Sequence, residues 1–261
     1  MHIFPGVIME PAKIYLKHGK EKSVRNRNPW IFSGAVDRIE EFERDGQPAE
    51  ALTAHGGFVG VGYVNTHSQI VCRILSWKPA VMGREFLEER IRASIERRAN
   101  ILDGQTDSCR LINTEGDFLP GLIVDRYGAG IVVQMLTAGM EFFRDEILDI
   151  LRKAVKPSFI VERSDIASRL EEGLEERAGV IEGIVDGPVE IRENGFRFRT
   201  DLLRGQKTGF YFDQRDSRGM IGGFSKGKRV LNLFSYTGGF SVNAAAAWPA
   251  CQARARTAEA E

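Results

Sequence analysis

The stretch RVLNLFSYTGGF, residues 229–240, decides the fold. The run Val230–Phe234 is apolar except for Asn232, which is typical of a strand buried on both faces in a parallel sheet. A glycine turn follows and a helix is predicted from about Phe240. Glycines let the backbone approach a ligand closely, and amides at a helix N-terminus favour a negatively charged group. The pattern indicates a ligand-binding α/β unit, although it lacks GxGxxG and a purely structural turn remains an alternative.

Two features precede this strand. The alternating segments Val189–Arg192 and Phe196–Thr200 flank Asn194-Gly195, a dipeptide that predicts a tight hairpin turn. The next segment, KTGFYFDQRDSR (residues 207–218), packs aromatic, amide and charged groups into one short stretch. Such a composition is unusual for a simple connection, so we expect this segment to do more than join two elements.

Residues 10–80 are rich in short β-type runs, including AKIYL (12–16) and GFVGVGYV (57–64). They predict a small barrel or sandwich. The segment RNRNPWIFSG, residues 25–34, interleaves basic and aromatic side chains, as RNA-binding surfaces do. However, Trp30 and Phe32 alternate along a strand, and we expect them to be buried in the core rather than stacked on RNA.

Residues 81–188 predict a small α+β domain. An amphipathic helix is expected from about residue 84 to 102, and a second from 140 to 155, with strands between and after them. The domain shows no active-site constellation. Glu115, Asp117 and Asp125 lie in or near predicted turns, and we assign them to capping and turn chemistry.

The totals restrict the classes of function. The 36 basic and 36 acidic residues cancel, so any RNA contact must come from a local patch. We predict no membrane span, no secretory leader and therefore a cytoplasmic protein. The histidines and cysteines lack metal-ligand spacing, so no metal is assigned, and Cys72, Cys109 and Cys251 are expected to be reduced and buried.

The quoted motifs together resemble one enzyme family. KTGFYFDQRDSR and VLNLFSYTGGFSVNAA are similar to the Rossmann-type methyltransferases that make 5-methylcytosine in large-subunit ribosomal RNA. NPWIFSGAV and RLINTEGDFLPGLIVDRYG resemble that family's N-terminal PUA domain and its small middle domain. The likeness covers residues 12–246. It implies a mixed fold with a β-rich PUA barrel (10–80), an α+β middle domain (81–188) and an incomplete Rossmann-like methyltransferase domain (189–261).

The resemblance also implies S-adenosylmethionine (SAM) as cofactor and large-subunit ribosomal RNA as partner. The residues that would hold the cofactor are Asp213, Gln214, Arg215, Asn232, Phe234, Ser235, Tyr236, Thr237 and Gly238. Of these, the first three would close over the cofactor, and the 234–238 loop would surround its methionine end. Arg25 and Lys207 are the candidates for RNA contact. Self-association is left open.

Two departures from the family pattern affect what is expected of this chain. Asn28 replaces a histidine before Pro-Trp, which concerns a local packing or RNA contact. From about residue 248 the sequence diverges, and this alanine- and arginine-rich tail is not expected to form a strand; we interpret it as a shifted reading frame or damaged gene. The strand at 230–234 would then expose an apolar edge.

The resemblance implies that a cysteine thiolate adds to cytosine, beside an Asp-Pro-Pro loop. Both are expected beyond the divergence, and Cys251 is not expected to replace that cysteine. Catalytic residues are therefore unassigned, and the chain is expected to be catalytically incomplete. An RNA-binding module without methyltransferase activity is the alternative.

Overall fold

The computed structural model describes residues 10–247 and, by backbone alone, residues 253–256. The N-terminal part is a six-stranded sheet in the order β2-β6-β5-β4-β1-β3, antiparallel except for the pair β1 and β4. Its strands are β1 Ala12–Leu16, β2 Trp30–Phe32, β3 Val36–Glu40, β4 Pro48–Leu52, β5 Phe58–Val64 and β6 Ile70–Ser76, with helix α1 Glu21–Arg25 after β1. The strand predictions for residues 12–16 and 57–64 are confirmed.

The expected burial of Trp30 and Phe32 is wrong. The two side chains do share one face of β2, but they are 39% and 48% exposed, whereas Ile31 between them is buried. The reason is that β2 lies at the edge of the sheet, where only the face carrying Ile31 packs on the core.

The middle part is a five-stranded sheet in the order β11-β10-β9-β8-β7, in which β9 and β10 are parallel. Its elements are α2 Arg84–Arg97, β7 Cys109–Asn113, β8 Leu122–Tyr127, β9 Gly130–Met135, α3 Ala138–Phe142, α4 Arg144–Val155, β10 Ile160–Ser164, α5 Ser168–Glu171 and β11 Arg177–Glu182. The first predicted helix ends earlier than expected, in a 3-10 turn at Ala99–Ile101. The α+β prediction is confirmed.

The N-terminal and middle parts share one hydrophobic core. Tyr63 and Leu75 of the first sheet are packed in the same cluster as Leu87 of α2 and Leu111 of β7. The Tyr63 hydroxyl also donates to Thr137 Oγ1 at 2.8 Å. Burial of a common apolar cluster holds the two parts together.

Two acidic residues do more than the turn chemistry predicted for them. Asp117 is buried and accepts hydrogen bonds from Arg97 at 2.6 Å and from Arg98 at 2.7 Å. Asp125 is fully buried within β8, where Arg110 binds both of its carboxylate oxygens at 2.8 and 3.0 Å. For Asp125 the assignment to a turn is wrong. It lies within strand β8, and its carboxylate also accepts a hydrogen bond from Thr208 of the C-terminal part.

The C-terminal part begins with the predicted hairpin. Strands β12 Val189–Glu193 and β13 Phe196–Thr200 pair through a turn in which Asn194 and Gly195 both have positive φ, 52° and 81°. The remaining elements are α6 Arg215–Ser225, β14 Val230–Leu233, α7 Gly239–Ala246 and β15 Ala253–Arg256. Helices α6 and α7 pack against each other.

Two expectations about this part are wrong. The tail does contain a strand, since β15 pairs in parallel with β14 over Val230–Leu233. In addition, β14 is not buried on both faces, because Leu231 and Leu233 are 64% and 56% exposed. In the described part of the chain β15 is its one neighbouring strand, and α7 contacts both strands. Cys251 lies outside the described residues.

No helix among the described residues is both long and apolar enough to cross a membrane.

Candidate functional site

A cleft of about 430 Å³ lies at the carboxyl end of β14. Its size is within the range of small-molecule sites in proteins, about 300–1,000 Å³. The residues predicted from sequence that line it are Gln214, Asn232, Phe234, Ser235, Tyr236 and Thr237. The carboxyl end of a parallel strand is where α/β proteins bind their ligands, so the cleft formed by the strand-turn-helix segment 229–240 is the candidate ligand site.

The turn after β14 has a constrained backbone. Gly238 adopts φ 75°, and its N–H donates to the Ser235 carbonyl at 2.7 Å. Phe234 and Tyr236 also have positive φ, 55° and 48°, a conformation that side-chain-bearing residues adopt at an energetic cost. Residues with such unusual backbone angles concentrate at ligand sites. Here the turn leads directly into α7, whose first residue, Gly239, lines the cleft.

Tyr236 joins this turn to the segment before α6. Its hydroxyl donates to the Gly209 carbonyl at 2.8 Å, and its ring meets the Tyr211 ring edge-on at a centroid distance of 5.7 Å. The Tyr211 hydroxyl in turn donates to Gln206 Oε1 at 3.0 Å. Burial raises the pKa of the Tyr236 phenol, so it remains a neutral donor at physiological pH.

Arg218 is the buried charged group of the cleft. Its Nε and Nη2 donate to the two carboxylate oxygens of Glu193, each at 2.7 Å. Nη2 also donates to the Tyr211 carbonyl at 2.9 Å, and the guanidinium lies 4.6 Å from the Phe210 ring centroid. A Cβ at Gly239 would lie 2.7 Å from Arg218 Cδ, so glycine allows α7 to approach this side chain. Arg218 therefore connects the hairpin, the 210–211 segment and α7.

Strand β8 of the middle part forms hydrogen bonds with Thr208 and Phe210, in the segment that precedes α6. Thr208 Oγ1 donates to the buried Asp125 carboxylate at 2.6 Å and lies 3.0 Å from the Tyr127 hydroxyl. The Tyr127 hydroxyl also accepts the N–H of Phe210 at 2.9 Å. Charge-assisted hydrogen bonds in a dry environment hold geometry strongly. Strand β8 thus positions one wall of the cleft.

Three of the predicted cofactor residues do not line the cleft, and several residues that do line it were not predicted. Asp213 and Arg215 lie beside it, Asp213 in a 3-10 turn and Arg215 bonded to Asp216 at 3.1 Å, while Gly238 belongs to the turn. The missed lining residues are Gln206, Phe210, Tyr211, Leu233, Arg218, Gly239 and Phe240. All of these residues except Gln206 lie inside the two quoted motifs, 207–218 and 230–245, and Gln206 directly precedes the first of them.

The RNA candidates lie in different parts of the fold. Arg25 is exposed on α1 of the N-terminal part, and Lys207 is exposed next to Gln206 at the cleft. Within the ranges the structure describes, no three His, Cys, Asp or Glu side chains are arranged to hold a metal. The described cysteines, Cys72 and Cys109, are buried away from the cleft in the other two parts.

Comparisons with known proteins agree with this architecture. Residues 14–77 match the PUA-like domain family, and residues 179–256 match the SAM-dependent methyltransferase family. The chain therefore carries a PUA-like domain and a segment with the sequence and fold of a SAM-dependent methyltransferase domain, whose family cofactor is SAM. The methyltransferase match includes β15, in the tail that was expected to diverge from about residue 248.

The chain is similar to curated relatives over most of its length. It is 43% identical to the ribosomal RNA large subunit methyltransferase I of Aeromonas hydrophila over 237 residues, covering 89% of this chain and 60% of the relative. It is 40% identical to the protein of the same name from Pseudoalteromonas translucida, with the same coverage of each chain. The chain thus spans about three fifths of the length of these relatives.

Solved structures show the same similarity. A candidate SAM-dependent methyltransferase from Streptococcus mutans matches with a TM-score of 0.76 and 25% identity, covering 93% of this chain and 62% of that one. A second, SMU.776, described as a candidate methyltransferase in complex with SAH (S-adenosylhomocysteine), matches with a TM-score of 0.78, 26% identity and the same coverage.

Proposed function

We propose that this protein is part of an enzyme that methylates large-subunit ribosomal RNA and uses SAM as the methyl donor. The chain joins a PUA-like domain to a segment that matches SAM-dependent methyltransferases. The observation that carries the proposal is the cleft at the carboxyl end of β14, because it is built from the segment that matches the methyltransferase family. We propose large-subunit ribosomal RNA as the substrate because the similar proteins are ribosomal RNA large subunit methyltransferases, and we propose a cytoplasmic location in keeping with that substrate. We further propose that the methylated product is 5-methylcytosine.

The described residues fit SAM as the ligand. The cleft volume suits a nucleoside-sized molecule, and the amides at the start of α7 suit a carboxylate. The charge of Arg218 is matched by Glu193, so the lining leaves a nearly neutral site for a ligand that carries both charges. When bound, SAM supplies an electrophilic methyl group. The proposed cofactor residues are Asp213, Gln214, Arg215, Asn232, Phe234, Ser235, Tyr236, Thr237 and Gly238.

Each wall of the cleft has a separate role in this proposal. The turn at residues 234–238 would hold the methionine end, while Tyr211 would present its ring to the ligand, with the buried Phe210 packed behind the lining. Arg218 orients those aromatic residues through its bond to the Tyr211 carbonyl. Lys207 beside the cleft and Arg25 on α1 are proposed to contact RNA phosphates.

The nucleophile that cytosine methylation requires is not supplied by the described cysteines. Burial raises the pKa of the Cys72 thiol to about 12 and that of Cys109 to about 11, and neither lies in the cleft. We therefore propose that the residues described here bind cofactor and RNA without completing methyl transfer. The alternative is an RNA-binding module alone, in which RNA affinity falls with salt but no cofactor binds.

Isothermal titration of the chain with SAM and SAH tests the cofactor site. The informative variant is Gly239→Ala, whose new Cβ would lie 2.7 Å from Arg218 Cδ. The matched control is Gly223→Ala on α6, where a Cβ meets nothing within 4 Å. We expect micromolar binding by the parent chain and the control, and a loss of about tenfold or more in Gly239→Ala, equivalent to about 1.4 kcal/mol.

RNA binding is measured in parallel with a large-subunit ribosomal RNA fragment. Cofactor binding that Gly239→Ala weakens supports the proposal. RNA binding without any cofactor binding would favour the alternative, and equal affinities of both glycine variants for SAH would place the cofactor elsewhere.

A further inference from the structure

A second cleft, of about 570 Å³, lies where the N-terminal sheet meets the middle part, and we call it the junction cleft. The residues that matter here are Phe32, Gln69 and Arg73 from the first part and Glu115, Glu171 and Glu172 from the second. It shares no lining residue with the cleft at β14. The junction cleft is therefore a separate concavity made by two parts of the chain.

The rim of the junction cleft carries an exposed aromatic pair. Trp30 and Phe32 meet edge to face with centroids 6.4 Å apart, and they are 39% and 48% exposed. Trp30 Nε1 donates to Glu115 Oε1 at 3.1 Å, so the indole is held against the middle part while its ring remains open. Aromatic rings that are fixed but exposed are suited to stack on flat ligands such as unpaired bases.

The wall of the junction cleft contains a donor that lacks an acceptor. Arg73 is buried, with 9% exposure, and its Nη2 pairs with Glu172 Oε1 at 2.8 Å. Its buried Nη1 makes no hydrogen bond to any residue that the structure describes. An unpaired buried donor is unfavourable, and because Nη1 has almost no accessible surface, a ligand acceptor removes this penalty once the Arg73 guanidinium turns toward the cleft.

The charges around the junction cleft disfavour an anion. Three carboxylates, of Glu115, Glu171 and Glu172, contribute to the lining, and Arg73 compensates one of them. His67 is also present, but its Nδ1 faces Asp45 Oδ2 at 2.8 Å. A phosphate would be repelled here, whereas carboxylates accept N–H donors of a neutral ligand.

We propose that the junction cleft binds one unpaired nucleobase of the RNA. The base stacks against Phe32, its ring or carbonyl acceptor faces Arg73, and its N–H donors face Glu171. This inference rests on the proposed function, in that it takes RNA to be the partner. Flat shape, acceptor and donor groups on one edge, and lack of charge are together the properties of a base and not of the backbone.

Fluorescence anisotropy of labelled single-stranded ribosomal RNA fragments, titrated with the chain, tests this inference. We expect Phe32→Ala to weaken binding about tenfold, which is the range of one lost base-stacking contact. The matched control is Phe42→Ala, since Phe42 belongs to the same part of the chain, is 40% exposed and does not line the junction cleft. Control affinity should equal that of the parent.

Glu171→Gln separates a base from a phosphate as the occupant. Glu171 is exposed, so the substitution should leave the fold intact. If the junction cleft binds a base through N–H donors, the variant binds RNA more weakly; if it binds a phosphate, the loss of negative charge strengthens binding. The slope of log Kd against log salt should be the same for Phe32→Ala and the parent, because no phosphate contact is lost.

The possible failures can be told apart. If the parent chain binds no RNA, the proposed function fails. If the parent binds RNA and Phe32→Ala binds equally well, or if Glu171→Gln tightens binding, the inference about the junction cleft is overturned while RNA binding stands.

Discussion

Replacing Arg218 with methionine is expected to destabilise the C-terminal part by about 3–5 kcal/mol, the usual cost of removing one partner from a buried ion pair. The magnitude follows from the structure. Both side chains are almost fully buried, at 3% and 1% exposure, and two hydrogen bonds of 2.7 Å join them. Hydrogen bonds to charged groups contribute about 1.5–3 kcal/mol each, which is consistent with that range. The variant leaves the Glu193 carboxylate buried without its partner.

Urea unfolding followed by circular dichroism measures the total effect, and hydrogen exchange of the hairpin β12 and β13 locates it. The control is Arg197→Met on the same hairpin, where the pair with Glu190 is 3.6 Å apart and both side chains are more than half exposed. This control should change stability by less than about 1 kcal/mol. The double variant Glu193→Leu with Arg218→Met removes both charges and should recover most of the loss. Equal stability of Arg218→Met and the parent would refute the reasoning, as would a double variant no more stable than Arg218→Met alone.

Three further outcomes are expected. Thr208→Val removes the buried hydrogen bond to Asp125, so it should lower the thermal midpoint and, at temperatures where the variant is folded, weaken SAH binding several-fold in calorimetry; unchanged affinity would contradict a positioning role. Burial raises the pKa of the Asp117 carboxyl, but hydrogen bonds from Arg98 and Arg97 outweigh it, so the pKa lies below its ordinary value. The resulting stability is complete above about pH 4 and lost as pH falls through the folded-state pKa, so urea midpoints between pH 5 and pH 3 should fall less in Asp117→Asn than in the parent. Because burial raises the pKa of both described cysteine thiols, iodoacetamide at pH 8 should label neither until urea unfolds the chain, which peptide mass spectrometry will show.

The local elements of this fold could be predicted because their causes are local. The bounds of β1 at Ala12–Leu16 and the turn at Asn194-Gly195 follow from alternation and from the φ angles that each residue permits. The turn after β14 was likewise evident from its glycines. Of the predicted cofactor residues, Asn232 and Tyr236 are among those that line the same cleft.

The expectations that failed depended on neighbours that are distant in sequence. Trp30 and Phe32 alternate like core residues, yet their exposure depends on β2 lying at a sheet edge. The strand in the tail, Ala253–Arg256, alternates alanine with arginine but contains no β-branched or aromatic residue, and its pairing with β14 is what identifies it as a strand. Asp125 was predicted to be a turn residue, because its partners Arg110 and Thr208 are distant in the sequence and contact it only in the folded chain.

The sequence by itself determined the strand at residues 12–16, the hairpin at 189–200, the glycine turn at residues 235–239 and the similarity to SAM-dependent methyltransferases, because each of these depends on residues that are close together in the chain. The tertiary structure alone decided which side chains share a cleft. Arg218 meets Glu193 across 25 positions, and Trp30 meets Glu115 across 85. Such pairs form through burial and hydrogen bonding between separate elements, and no periodicity in the sequence encodes them.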